Sequence, residues 1–471
     1  MKMDSGFSIF KRDLVFTKTV PMKTIYSSTD ISCRVLLVMI LLLAFSCEKD
    51  NTVPTEEETI EIIPDPVPEE TAEEEETTLL KIEGEIIIHD PNAMEDSYIL
   101  VNNIMGGKVF LIDKTGTIVQ NWEMEYGLGN DCTLLDNGQL LALLKDPDAE
   151  ITFGGYGGII RILNQDSSVA KEIKYSSSDE IVHHDIEMLP SGNLLLLVWE
   201  KITASTAIEH GYNTERELFP EALIEIDPNT EEVVWSWHSL DHLVQDIDAT
   251  KLNFGNIPEN FRKIDINYEE RDEEKIDGDI MHSNGVTYDK ENDVIFLSVN
   301  NYSEIWAIDH STTTQEAKSS NGGNFGFGGD LLYRFGNPTT YQNTIGQRLF
   351  HNMHNPNLTN LNQSMLVYAN QNNTLQSKVF EFDLNSLILT FDTNNEPLIT
   401  WSYTNPDLYS RIVSSAIKQK NGNTLITDSN TGIIEVTPEG TIVWEFEGPG
   451  LFWRSYPLSK DEMAIQSLNL N

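Results

Sequence analysis

Six segments of this chain repeat one pattern, a polar turn running straight into a short apolar strand, and that repetition limits what the chain can fold into. The segments are Glu95–Val101, Asp136–Leu143, Pro190–Leu197, Glu291–Leu297, Asn362–Tyr368 and Lys420–Ile426. Asn-Gly and Ser-Gly pairs within them suit tight hairpins, where a positive φ is needed. Each opener leads into an Ile/Val-rich strand and then into a strand ending in an aromatic: Trp122, Tyr175, Trp237, Phe335, Trp401 and Trp444. Turns such as Asp113–Gly116 and Pro438–Gly440 join the last two strands. Six units of about four strands predict an all-β fold, a six-bladed β-propeller over residues 81–471. A pair of β-sandwiches is the alternative, but it would not generate six matched openers. Unequal spacing places long inter-strand insertions at 200–222, 239–280 and 311–329, which are expected to form lids or docking surfaces. The strand at Lys81–His89 is expected to close the ring against the one near Phe452–Pro457.

The N-terminal part reads as an address rather than a fold. Residues 35–46 form an apolar run that follows Arg34 and is short for a membrane span, as in the h-region of a secretory signal. It ends in Leu-Ala-Phe-Ser-Cys, which resembles a bacterial lipobox with Cys47 as the lipidated residue. A plain signal peptide or a buried apolar segment is the alternative. Residues 1–47 are thus expected to be a lipoprotein signal peptide, with Met22 as a second candidate start. Residues 48–80 hold 13 acidic residues and one lysine among Thr and Pro. Such a stretch buries too little apolar surface to fold and is expected to be a disordered, self-repelling linker. The expected location is exported and lipid-anchored, in the periplasm or at the outer membrane or surface of a Gram-negative cell. Only Cys132 of the three cysteines follows the leader, so a disulfide framework is excluded, and Cys132 is expected to be a buried hydrophobe. A formal net charge of −44 argues against nucleic-acid binding.

Three histidines stand just upstream of three consecutive openers: His184, His282 and His354. In a propeller that position is the innermost strand, beside the central channel, so the three imidazoles should converge. Converging imidazoles either bind a metal or hold and transfer an anion, with one neutral ring as nucleophile. A metal centre favours carboxylates around its ligands, and Asp185 is the only one adjacent. Asn284, Asn352 and Asn355 flank the other histidines, and amides suit an oxyanion as hydrogen-bond donors.

The stretches His183–Asn193, Met281–Asp289, Ser303–Thr312, Gly328–Pro338, Asn421–Ile426 and Ile442–Phe446 resemble the arylsulfate sulfotransferase family, particularly its Bacteroidetes-type lipoproteins. The resemblance implies nucleotide-independent, ping-pong transfer of a sulfuryl group from an aryl sulfate to a phenol through a sulfohistidine, with no cofactor. It implies His354 as nucleophile and His184 and His282 as groups that stabilise the sulfuryl or move protons. His183, Asn284, Asn300 and Asn355 are the candidate substrate-binding residues. Asn300 stands where the resemblance implies arginine and Asn355 where it implies aspartate, with Arg334 and Arg411 as candidate replacements. A weakened relative that only binds ligands or partners, and a three-histidine metallo-propeller, are the alternatives.

Overall fold

The structure, a computed structural model, describes residues 80–212, 214, 216–268, 278–359, 363–387, 389–392 and 395–470. The leader, Cys47 and nearly all of the acidic linker lie outside the described residues. Among the described residues no helix is long and apolar enough to cross a membrane.

Each opener folds as the second strand of a blade. These strands, such as Leu194–Glu200 and Val294–Val299, are apolar without alternation because neighbouring blades cover both faces. Blade 2 runs Leu128–Leu134, Leu140–Lys145, Gly158–Leu163 and Val169–Lys174 from the axis outward. Blade 3 begins at Glu180–Met188, blade 4 at Ser283–Asp289, blade 5 at Met353–Thr359 and blade 6 at Ser415–Lys418, each an antiparallel meander. Successive innermost strands pack against one another in a closed ring, which makes the six sheets a propeller. The core lies between blades. One such layer, from Leu141 through Val182 and Leu196 to Ile224, is almost wholly buried. Two of the aromatic ends of the outer strands are anchored by hydrogen bonds: Trp237 Nε1 donates to Gly329 O at 2.7 Å and Trp444 Nε1 to Lys114 O at 2.8 Å. Cys132 is buried in the layer between blades 1 and 2, and burial pushes its thiol pKa well up.

Ring closure differs from the sequence expectation. Glu85–His89 does not meet the C-terminal strand; it pairs with Ile442–Glu447 as a fifth, outermost strand of blade 6. Phe452–Ser459 instead pairs with Ser97–Asn103 and forms the innermost strand of blade 1. Burial explains the exchange. Glu85, Ile87 and His89 are exposed and fit only an outer edge, whereas Phe452, Trp453, Arg454 and Ser455 are all buried at the channel.

The described residues of the three insertions carry little regular structure. A six-residue helix, Ala204–Glu209, occupies the first. A short parallel pair, Leu243–Val244 with Ile264–Asp265, sits in the second. The third holds a one-turn helix, Thr314–Ala317, with Thr313 and Glu316 as a capping box.

Candidate active site at the channel mouth

Five of the six innermost strands carry a bulge where they reach the channel. In blade 3 Ile186 pairs with Leu196 and Val182 with Val198, so His183, His184 and Asp185 all oppose Leu197. In blade 5 the bulge holds Asn355 and Pro356 between His354 and Asn357, and proline suits a site with no ladder donor. Bulges bend a strand and re-aim its side chains, here toward the axis. The backbone is strained to match: φ is +53° at His184, +49° at His282, +67° at Asn352 and +54° at Asn355. Non-glycine residues adopt this region rarely and at a cost of roughly 1–3 kcal/mol each, mostly at functional sites.

These bends bring His184, His282 and His354 to one cavity of about 740 Å³. The His184 and His282 rings stand 4.8 Å apart at 81°. The indole of Trp453 lies 5.9 Å from both His184 and His354 and forms the wall between them. His354 is tied at both nitrogens: Nδ1 lies 2.7 Å from Asn370 Oδ1, and Nε2 accepts the Val413 N–H at 3.1 Å. Since the Asn370 oxygen can only accept, the Nδ1 of His354 carries the hydrogen and the lone pair is on Nε2. Burial drives its pKa down to about 3, so it is a neutral imidazole at physiological pH. His184 is also pushed well below the ordinary range, by burial first and then by His282. His282 is the more open ring, with 28% of its side chain exposed, and its Nδ1 is held by Asp279.

Charge around this mouth runs against the rest of the chain. Among the described residues Lys145, Arg348 and Arg411 line it with a single carboxylate, Asp279, in a protein of net charge −44. Ile104, Phe153, Ile412 and Leu451 provide apolar wall. An anion attached to an aromatic ring fits such a lining, with cations for one end and hydrocarbon for the other.

Beneath the histidines lies a charge cluster that sequence reasoning missed. Arg454 is buried, donates to Asp185 at 2.8 Å and lies 3.5 Å from Asp131. Tyr456 and Trp453 also donate to Asp131, at 2.6 and 3.2 Å. Burial pushes the Asp131 carboxyl up to about 7, although the Arg454 guanidinium pulls it down. Its signal in the sequence was the Phe-Trp-Arg-Ser-Tyr run, readable only once that strand is known to be innermost.

Of the residues singled out from sequence, the cavity takes His184, His282, His354, Asn300 and Asn352. Asn300 donates to Met353 O at 3.1 Å and accepts from Asn352 at 2.8 Å. His183, Asn284 and Asn355 stand behind the surface, each fully or nearly fully buried. Asn284 bridges blades by donating to Met353 O at 2.9 Å, and Asn355 accepts the Ala416 N–H at 3.2 Å. Arg334 is remote from the channel, buried against Glu304, while Arg411 does line the cavity. Among the described residues of the three flagged insertions only Asp279 of the second reaches the cavity wall. The segments near 153–155, 348–352, 372–373 and 411–413 build the rest. The glycine run at 154–158, which reads as a flexible loop, has a packing role: a Cβ on Gly155 would sit 2.1 Å from His184 Nε2. Among the described residues no three ligating side chains are grouped to hold a metal ion.

A family model described as Arylsulfotransferase (ASST) matches residues 83–448. No curated protein matches the chain. Among solved structures, a putative 6-phosphogluconolactonase from Bacteroides fragilis is 11% identical, covers 79% of this chain and all of its own, and superposes with a TM-score of 0.42. The periplasmic gluconolactonase of Pseudomonas aeruginosa is 8% identical over 77% of this chain and 99% of its own, with a TM-score of 0.43. A functionally unknown protein from Desulfotomaculum acetoxidans is 10% identical over 77% of this chain and 99% of its own, at 0.41.

Proposed function

This chain belongs to the arylsulfotransferase family, and from that premise we propose that it moves a sulfuryl group from an aryl sulfate to a phenol through the imidazole of His354. The observation that carries the reading is the meeting of His184, His282 and His354, with His351 beside them, at one cation-lined cavity in a strongly acidic chain. The aryl ring lies along Phe153 and Ile412, and the sulfate faces Arg348, Arg411 and the histidines. His354 Nε2 attacks sulfur as the S–O bond to the aryl oxygen breaks, and the phenolate leaves with a proton from His184 or His282. In the second half-reaction the acceptor phenol loses its proton to the same base, its oxygen attacks sulfur, and the N–S bond breaks. For attack to begin, the Val413 N–H must leave His354 Nε2. It then has a sulfuryl oxygen within reach, a donor for charge that develops in the transition state.

The position of Arg454 supports the same reading. Its guanidinium places a fixed positive charge under the site, at a different position from the arginine expected where Asn300 stands. The apolar run before Cys47 supports export and lipid anchoring of this domain. Radiolabelled fatty acid should appear in the wild-type protein and not in Cys47→Ser.

The direct test is turnover of a chromogenic aryl sulfate with a phenol acceptor, followed by mass spectrometry of enzyme given donor alone. We expect one added sulfuryl group on His354. Absence of transfer across varied phenols, with His354 unmodified, would sink the proposal.

A further inference from the structure

His183 does not line the cavity, yet both of its ring nitrogens and its ring face are engaged. It is wholly buried and stacks on Trp199 with centroids 3.7 Å apart and planes within 4°. Its Nε2 lies 2.9 Å from Glu221 Oε2, and its Nδ1 lies 2.8 Å from His184 Nδ1. The other oxygen of Glu221 accepts the Ser283 N–H at 2.7 Å. His184 Nε2 lies beside Gly155, and both residues line the cavity. Carboxyl, imidazole and imidazole thus form one unbranched line from the interior of blade 3 to the substrate space.

Two nitrogens 2.8 Å apart can share only one hydrogen, so the tautomers of the two rings are locked together. If Glu221 is protonated, it donates to His183 Nε2, His183 Nδ1–H donates to His184 Nδ1, and His184 presents Nε2–H to the cavity. If Glu221 is ionised, His183 Nε2–H donates to it, His184 Nδ1–H donates to His183, and His184 presents a lone pair. The same heavy-atom positions serve both registers.

We propose that Glu221, His183 and His184 form a buried two-register proton relay that supplies a proton to the departing phenolate oxygen and recovers it from the acceptor phenol. The relay rests on the sulfuryl-transfer reading above. In the first half-reaction His184 Nε2–H goes to the phenolate, the His183 Nδ1 proton moves to His184 Nδ1, and the Glu221 proton moves to His183 Nε2. The line loses one proton and ends with an ionised Glu221. In the second half-reaction the acceptor phenol gives its proton to His184 Nε2, and each shift runs backward. Charge balances, because the anion created on Glu221 matches the positive charge gained by the sulfated His354 ring. Glu221 and His183 are positioning residues that act through His184; neither touches substrate.

The surroundings favour the protonated register at rest. Burial raises the Glu221 pKa well above the ordinary carboxyl value, and Asp279 adds to the rise. Burial likewise holds His183 and His184 neutral. The groups facing Glu221 and His183 are Asp279, His282 and Asp185; those facing His184 are His282, His354 and Arg454.

Glu221→Gln tests the relay. The glutamine oxygen keeps the Ser283 N–H, so its NH₂ faces His183 Nε2 and fixes the donor register. His184 then cannot release its proton without leaving an imidazolate. We expect turnover to fall by about 10²-fold or more, the usual span of general acid–base catalysis, and the fall to steepen as the leaving phenol becomes more basic. A purely structural role would lower all donors alike. Independently of activity, ¹⁵N NMR of histidine-labelled protein should show wild-type His184 passing from Nε2–H to Nδ1–H as pH rises. In Glu221→Gln it should stay Nε2–H. An unchanged leaving-group dependence in the variant, or a wild-type His184 tautomer that ignores pH, overturns the relay. If the variant does not fold, the wild-type titration still decides. If the wild-type protein transfers no sulfuryl group, the underlying reading falls, and the tautomer measurement judges the hydrogen-bond line by itself.

Discussion

Gly155→Ala should disable the site while leaving the propeller folded. The added Cβ would lie 2.1, 2.3 and 2.5 Å from Nε2, Cε1 and Cδ2 of His184, all well inside contact distance. The ring has little room to retreat: His183 holds its Nδ1 at 2.8 Å, and Trp453 and His282 stand 5.9 and 4.8 Å from its centroid. Alanine must also adopt φ +87°. A left-handed alanine costs about 1–2 kcal/mol, and overpacking adds about 1–3 kcal/mol. The expected loss of stability is therefore about 2–5 kcal/mol. An ångström's displacement of the imidazole should cost about 10² in turnover. Chromogenic aryl sulfate turnover reads the second effect and chemical denaturation the first. Gly192→Ala is the matched control, because it shares the φ of +87° but a Cβ there meets nothing within 4 Å and lies away from the cavity, so turnover should stay at the wild-type level. A Gly155→Ala protein with wild-type turnover and an unshifted denaturation midpoint would refute the packing argument.

Arg411→Gln should raise KM for an anionic donor several-fold with little change in kcat, because the exposed guanidinium attracts more than it catalyses; the effect should shrink in added salt. With its pKa near 3, His354 should stay neutral and nucleophilic down to acid pH and lose its lone pair only as pH falls through that value. NMR titration checks this, and a His354 midpoint near the ordinary 6.5 or so would contradict it. Leu196→Ala, at a fully buried position between blades 2 and 3, should cost about 2–5 kcal/mol by chemical denaturation.

Much of the fold was legible because its signals are local. An Asn-Gly or Ser-Gly turn and the apolar strand after it report on a few residues at a time, and six recurrences reveal the blades. The histidines were legible for the same reason, since a position six to nine residues before an opener falls at the entry to the innermost strand. The insertions misled, because length does not say which face of the propeller a loop covers. Short segments around Phe153, Arg348 and Arg411 build the cavity wall, while the described residues of two of the longer insertions do not reach it. Arg334 shows the reverse case. It was a candidate for the missing positive charge, but Glu304 and Thr340 hold it buried within blade 4 and its flanking loop.

By itself the sequence determined the blade count, the all-β class, the acidic N-terminal stretch and the histidines that approach the axis. Those follow from periodicity and spacing along the chain. Only the tertiary structure decided how the ring closes, that Arg454 lies under the site, that His183 faces Glu221 and that Gly155 makes room for His184. Each depends on a bulge or a pairing between segments far apart in the chain. A one-residue bulge turns a side chain between channel and blade core without leaving a mark in local composition.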